Sequence, residues 1–191
     1  MRQIVAAPLT LGGFVTMQHQ VVFAHGRDSG PWGTKITALA ETARAAGWAV
    51  LSPDYTHTTD PEARAAQLLA LAPRPTGHLV LAGSSMGGYV SAAASNALRA
   101  SGLFLMAPAL YFAGYTLAAR VQAPCRAVVH GWRDTVVPVE VGIRFAREHR
   151  AELFVLDDDH ALTGQMALLG TLFAHFLDAV ARLPLIPTTV R

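Results

Sequence analysis

The chain has 191 residues, 52% hydrophobic and 15% charged, which suits one domain of the common size of roughly 100–200 residues around an apolar core and excludes disordered and low-complexity classes. No run approaches the roughly 18 uninterrupted apolar residues of a spanning helix, the richest stretch being the strand-sized Gly102 to Leu110, so no membrane span is expected. The net charge is only +2, with 15 basic residues scattered among 13 acidic ones. No nucleic-acid partner is therefore expected despite a pI near 9.0.

At the N-terminus, Gln3, Pro8, Thr10 and Gly12-Gly13 interrupt any signal-peptide core, and with one cysteine, Cys125, the expected home is cytoplasmic. Gln20-Val-Val-Phe-Ala-His-Gly then reads as a strand stopped by Gly26 and followed by the turn-rich Arg27-Asp-Ser-Gly-Pro-Trp-Gly. Ile36, Leu39, Ala40, Ala43 and Ala46 recur at helical spacing until Gly47, a suitable C-terminal cap. Trp48 to Leu51 is the next strand. Asp60-Pro61-Glu62 supplies an N-cap, a first-turn proline and a dipole-favoured acid for a helix that ends before Pro73.

His78 to Gly83 begins a third strand, running into Ser84-Ser85-Met86-Gly87-Gly88 and an Ala-rich helix expected to reach about Ala100. Gly102 to Ala107, Arg126 to His130 and Ala151 to Leu156 are further strands, with a helix near Val139 to His149 between the last two. That helix's Arg144, Arg147 and Arg150 read as a solvated face, with Glu140 and Arg144 an i,i+4 pair. Cys125 reads as a buried strand residue. Thr163 to Arg182 closes the chain as an amphipathic helix. Apolar strands alternating with helices predict a three-layer α/β/α sandwich with a mostly parallel sheet, a single domain over residues 1–191.

Gly83-Ser84-Ser85-Met86-Gly87 matches G-x-S-x-G at a predicted strand–helix junction, where small flanking residues permit the sharp turn that lifts the central Oγ above the sheet. Ser85 occupies the centre, and Met86 N–H, at a helix start, can point at a developing oxyanion. A serine nucleophile requires a histidine base, and that histidine a carboxylate. Asp134 follows the strand ending at His130, and His160 follows the strand ending at Leu156. Loops after parallel strands gather at one sheet edge, so Ser85, Asp134 and His160 are expected together. Asp157-Asp158-Asp159-His160 lacks a second cluster with metal-type spacing, and Gly83 to Gly88 lacks the Lys-Ser/Thr of a phosphate loop. Neither a metal nor a cofactor is expected.

These residues make the chain resemble the α/β-hydrolase-fold serine hydrolases in the order nucleophile, acid, histidine. The resemblance rests on His25-Gly26-Arg27, Gly83-Ser84-Ser85-Met86-Gly87-Gly88, Gly131-Trp132-Arg133-Asp134-Thr135-Val136-Val137-Pro138 and Asp159-His160, and runs from about Val21 to Arg182. It implies that Arg27 N–H joins Met86 N–H as the second oxyanion-hole donor, with His25 organising the loop. The family's opening antiparallel strands must be shortened or partly absent here, leaving an exposed sheet edge. Between Pro108 and Pro124 there is too little chain for the helical cap that many members insert, so a minimal, cap-less fold with a shallow, open pocket is expected. Trp32, Tyr111, Phe112, Tyr115 and Trp132 lie on loops at the active edge, where they either line an acyl groove or pack in the core.

The expected function is hydrolysis of carboxylic esters or thioesters, small-molecule or acylated, through an acyl-enzyme intermediate, with oligomeric state left open. Two alternatives stand beside it: a non-catalytic ligand-binding or interaction protein on the same fold, and a lyase or acyltransferase using the same triad.

Overall fold

The computed structural model describes residues 17–112 and 121–185. Six strands form one sheet: β1 (Gln20–Ala24), β2 (Ala49–Leu51), β3 (Leu79–Ser84), β4 (Gly102–Met106), β5 (Cys125–Gly131) and β6 (Glu152–Leu156). Their order is β2-β1-β3-β4-β5-β6, and every pairing among the described residues is parallel. The helices are α1 (Thr34–Ala45), α2 (Pro61–Leu71), α3 (Met86–Ala94), α4 (Val139–His149) and α5 (Met166–Ala181).

The expected three layers follow from the side-chain alternation of a strand. Val21 and Phe23 join the core beneath α1 and α5, with Leu39, Phe173 and Leu177. Val22 and Ala24 face the opposite core with Leu68 of α2, Tyr89 of α3 and Phe145 of α4. Both faces being covered accounts for the wholly buried β3 and β4. Among the described residues the terminal strands β2 and β6 are the edges.

Local signals set most boundaries. Asp60 caps α2 by accepting from Glu62 N–H at 2.9 Å, and Ala72, in the left-handed region, closes it before Pro73. Four details depart from expectation. Helix α3 stops at Ala94, where the Ser95 hydroxyl donates to the Ala92 carbonyl at 2.7 Å and Arg99 adopts a left-handed conformation. Helix α5 begins at Met166, because the Gln165 amide is drawn to the Asp158 carboxylate at 3.0 Å. On α4, Arg144 pairs with Glu148 at 2.8 Å and not with Glu140: Tyr111 donates to the same Glu148, and its ring lies 3.9 Å from the Arg144 guanidinium. Arg150 is the left-handed C-cap of that helix. Cys125, which opens β5, is half-buried where full burial was expected, and its thiol is pushed up by desolvation.

Candidate active site

Strand β1 feeds a helix on one face of the sheet and its neighbour β3 feeds a helix on the other. The loops that leave them diverge, and in open α/β sheets such a divergence leaves a crevice at the strand C-termini. A cavity of about 680 Å³ lies there, between Gly26 and Arg27 after β1, Ser85 and Met86 after β3, and His160 after β6. The expected shallow opening is thus a cavity of small-molecule size. The segment expected to lack a cap lies partly outside the described residues.

Ser85 sits between the end of β3 and the first turn of α3 with φ 54° and ψ −121°, a conformation that costs a non-glycine residue on the order of 1–3 kcal/mol. Its surroundings over-determine it. Ser85 N–H donates to the Met106 carbonyl at 3.0 Å, and its own carbonyl accepts from Gly88 N–H and Ala109 N–H, each at 2.9 Å. The flanking glycines are steric necessities: a Cβ on Gly83 would stand 2.1 Å from the Gly87 carbonyl oxygen, and one on Gly87 would stand 1.9 Å from the Ala24 carbonyl oxygen. Met86 N–H opens α3, where an amide has no acceptor one turn earlier.

Asp134 and His160 are drawn together by an extension of the β5–β6 ladder. Trp132 N–H donates to the Leu156 carbonyl at 2.8 Å and Arg133 N–H to the Asp158 carbonyl at 2.9 Å. His160 Nδ1–H then donates to Asp134 Oδ2 at 2.7 Å, while Asp134 Oδ1 accepts from Val136 and Val137 N–H at 2.9 and 2.8 Å. This fixes the proton of the His160 ring on Nδ1 and leaves Nε2 as the basic nitrogen. Ser85 and His160 share the cavity wall, with no hydrogen bond between them among those the structure makes.

The loop after β1 is organised by two side chains. Buried His25 donates from Nδ1 to the Gly26 carbonyl at 2.8 Å and accepts Tyr55 N–H on Nε2 at 3.0 Å, and burial holds its pKa below the ordinary value. Arg64 of α2, fully buried, reaches the carbonyls of His25, Gly26 and Arg27 at 3.4, 3.1 and 3.3 Å, and that of Thr58 at 2.8 Å. In a trans peptide C=O and N–H point in opposite directions. With the Gly26 carbonyl turned toward Arg64, Arg27 N–H is turned away from it.

Of the five loop aromatics, Phe112 lines the cavity. Trp132 is exposed, Trp32 lies 5.6 Å from the Arg44 guanidinium, Tyr111 is held by Glu148, and Tyr115 lies outside the described residues. The apolar wall comes from Ile36, Met86, Ala109, Val136 and Val137 instead. The Asp157–Asp159 carboxylates diverge, toward Arg133, toward the amides of Asp159 and Gln165, and toward Ala161 N–H respectively.

One cavity residue escaped the sequence reading. Lys35, in the first turn of α1 and the chain's single lysine, reaches the His160 carbonyl oxygen at 3.4 Å. Burial lowers its pKa to about 8, against the opposing pull of Asp134, Asp158 and Asp159.

A model of the Alpha/beta hydrolase family matches residues 21–190. No curated protein matches. Among solved structures, a protein from Xanthomonas campestris pv. campestris assigned to the hydrolases of the alpha/beta superfamily is 33% identical, with a TM-score of 0.76 over 84% of this chain and 98% of that one. Est1E from Butyrivibrio proteoclasticus reaches a TM-score of 0.76 at 19% identity, covering 85% and 88% of the two chains. A second Xanthomonas campestris protein, described as an α/β serine hydrolase without a lid, has a TM-score of 0.60 at 24% identity over 87% and 84%. At these lower identities the likeness is one of fold.

Proposed function

The chain belongs to the alpha/beta hydrolase family, and on that premise we propose that it is a serine hydrolase cleaving carboxylic esters or thioesters through an acyl-enzyme intermediate. The observation that carries this reading is the 2.7 Å bond from His160 to Asp134 beside a cavity that His160 shares with Ser85.

In the acylation step Ser85 Oγ attacks the substrate carbonyl carbon and its proton passes to His160 Nε2. Asp134 stabilises the imidazolium and keeps Nδ1 protonated. Negative charge collects on the former carbonyl oxygen, which the amides of Arg27 and Met86 receive; one such donor is worth about 10²–10³ in rate. Collapse breaks the C–O or C–S bond, and His160 returns the proton to the leaving alkoxide or thiolate. A water molecule then attacks the acyl carbon, giving its proton to His160, and the acid leaves as Ser85 Oγ is reprotonated.

Ser85→Ala should lower hydrolysis of a short 4-nitrophenyl ester by at least about a thousandfold. A fluorophosphonate probe should label Ser85 and nothing else on peptide mapping. Wild-type rates in Ser85→Ala, or a label elsewhere, would overturn the assignment.

A further inference from the structure

We propose that Lys35 makes the cavity selective for esters bearing a carboxylate, its ammonium holding that carboxylate while the ester is cleaved at Ser85; this rests on the hydrolase reading above. An ammonium withdrawn from water is costly unless paired. Lys35 stands half-buried on the cavity wall, its described hydrogen bond the 3.4 Å contact to the His160 carbonyl. All 13 Asp and Glu residues of the chain fall within the described residues, and none forms an ion pair with Lys35 within 4.0 Å.

The nearby carboxylates are engaged elsewhere. Asp134 is taken up by His160 and two backbone amides, Asp158 by the amides of Asp159 and Gln165, and Asp159 by that of Ala161. Of the other charged residues lining the cavity, Arg27 and Asp28 pair with one another at 3.1 Å. An ammonium with donor capacity left over therefore faces the space that a substrate would fill.

The charge count also sets the kind of anion. Asp134, Asp158 and Asp159 oppose the loss of the Lys35 proton, so an anion bound at Lys35 also meets their field. Their repulsion weighs about twice as heavily on a phosphate dianion as on a monoanion, which favours a carboxylate at Lys35. A carboxylate on either the acyl or the alcohol side of the scissile bond satisfies this condition.

The kinetic test has two arms. For the acyl side, the mono-4-nitrophenyl ester of adipic acid is compared with its methyl-capped counterpart; for the alcohol side, 3-carboxyphenyl butyrate with 3-carbamoylphenyl butyrate. The readout is the ratio of kcat/KM, anionic over neutral, within each variant, which a general loss of activity leaves unmoved. In the wild type one arm should show a ratio of about ten or more, falling about tenfold to a hundredfold in Lys35→Met and recovering in Lys35→Arg, as expected for one charge-assisted hydrogen bond. The ratio should also decline as pH rises through about 8, where the Lys35 charge is lost. The two esters of an arm differ only in the carboxylate, so ionisations acting on both alike cancel in the ratio; the other charged groups around Lys35 are Arg27, Asp28, Asp134, Asp158, Asp159 and His160. A ratio near one in both arms, or one that Lys35→Met leaves intact, would overturn the proposal.

A binding measurement separates this from the hydrolase reading. With ¹³C-labelled lysine the untagged chain gives one side-chain Cε signal, because Lys35 is its single lysine. Its titration midpoint should lie near 8 and move upward with hexanoate but not with hexanamide. A midpoint at the ordinary 10.5, unmoved by hexanoate, would sink the Lys35 inference even if every ester is hydrolysed. Failure to cleave any ester would count against the hydrolase reading alone, the NMR titration then deciding Lys35 by itself.

Discussion

His130 Nε2 lies 3.2 Å from Asp134 Oδ2, the oxygen that also accepts the His160 Nδ1–H at 2.7 Å. Both the His130 and Asp134 side chains are wholly buried, and burial lowers the His130 pKa, so the ring is a neutral donor that also reaches the Val137 carbonyl at 2.9 Å. His130 thus holds the carboxylate from behind. His130→Phe keeps the bulk and deletes the donor; kcat should fall about tenfold with KM little changed, and His130→Gln, which restores an N–H, should recover much of the loss. Equal losses in both variants would reduce His130 to packing.

Arg64 should act through the loop it clasps. Arg64→Met frees the Gly26–Arg27 peptide plane to rotate, so kcat on a 4-nitrophenyl ester should fall about tenfold to a hundredfold while KM changes far less. Arg64→Lys, with a single point of attachment, should lie between the two. A variant whose KM rises while kcat holds would assign Arg64 to substrate binding instead.

Gly87 tests the turn that lifts Ser85. A Cβ there would overlap the Ala24 carbonyl at the end of β1, and with no flexible side chain to yield, Gly87→Ala should cost upwards of about 3 kcal/mol in urea unfolding. Gly30, whose Cβ would meet nothing within 4 Å, is the control and should shift stability by less than about 0.5 kcal/mol. Comparable losses at the two positions would refute the steric account.

Acid should destabilise the fold through its histidines. His19, His25, His130 and His149 all have pKa values lowered from 6.5, with burial the largest cause in each. A group depressed in this way binds protons more readily once unfolded. Its stability contribution is complete above about 6.5 and is lost as pH falls through that value toward the folded pKa. Thermal unfolding followed by circular dichroism should show Tm dropping from pH 7.5 to pH 5.5, and a flat profile would contradict it.

What was legible in the sequence was whatever local chemistry dictates. G-x-S-x-G at a strand end, Asp60-Pro61 at a helix start and apolar runs between turn residues each have a physical reason that operates within a few positions. Arg64 and Lys35 do not. Arg64 looks like any solvated cation on α2 until the loop after β1, some forty residues earlier, brings three carbonyls to it. Lys35 had one faint signal, being the sole lysine in an arginine-rich chain. The loop aromatics, open in the sequence between groove and core, divide for a related reason: Phe112 lines the cavity, but residue type only places Trp32 and Trp132 on the active-edge loops, and which way a loop side chain turns depends on partners such as Arg44.

The all-parallel sheet also governs how the chain reaches this state. Among the described residues no two paired strands can meet through a hairpin; the nearest registered partners in sequence are Val80 and Gly102, and β1, next to the edge strand β2, waits for β3, with Gln20 aligned to Leu79. Loop closure must therefore precede any reward from pairing, which places the chain among slow folders of high contact order. Until β3 arrives, β1 stands with an unpaired flank of Val-Val-Phe. That interval, rather than any weakness of the finished protein, is when self-association during refolding should be most severe.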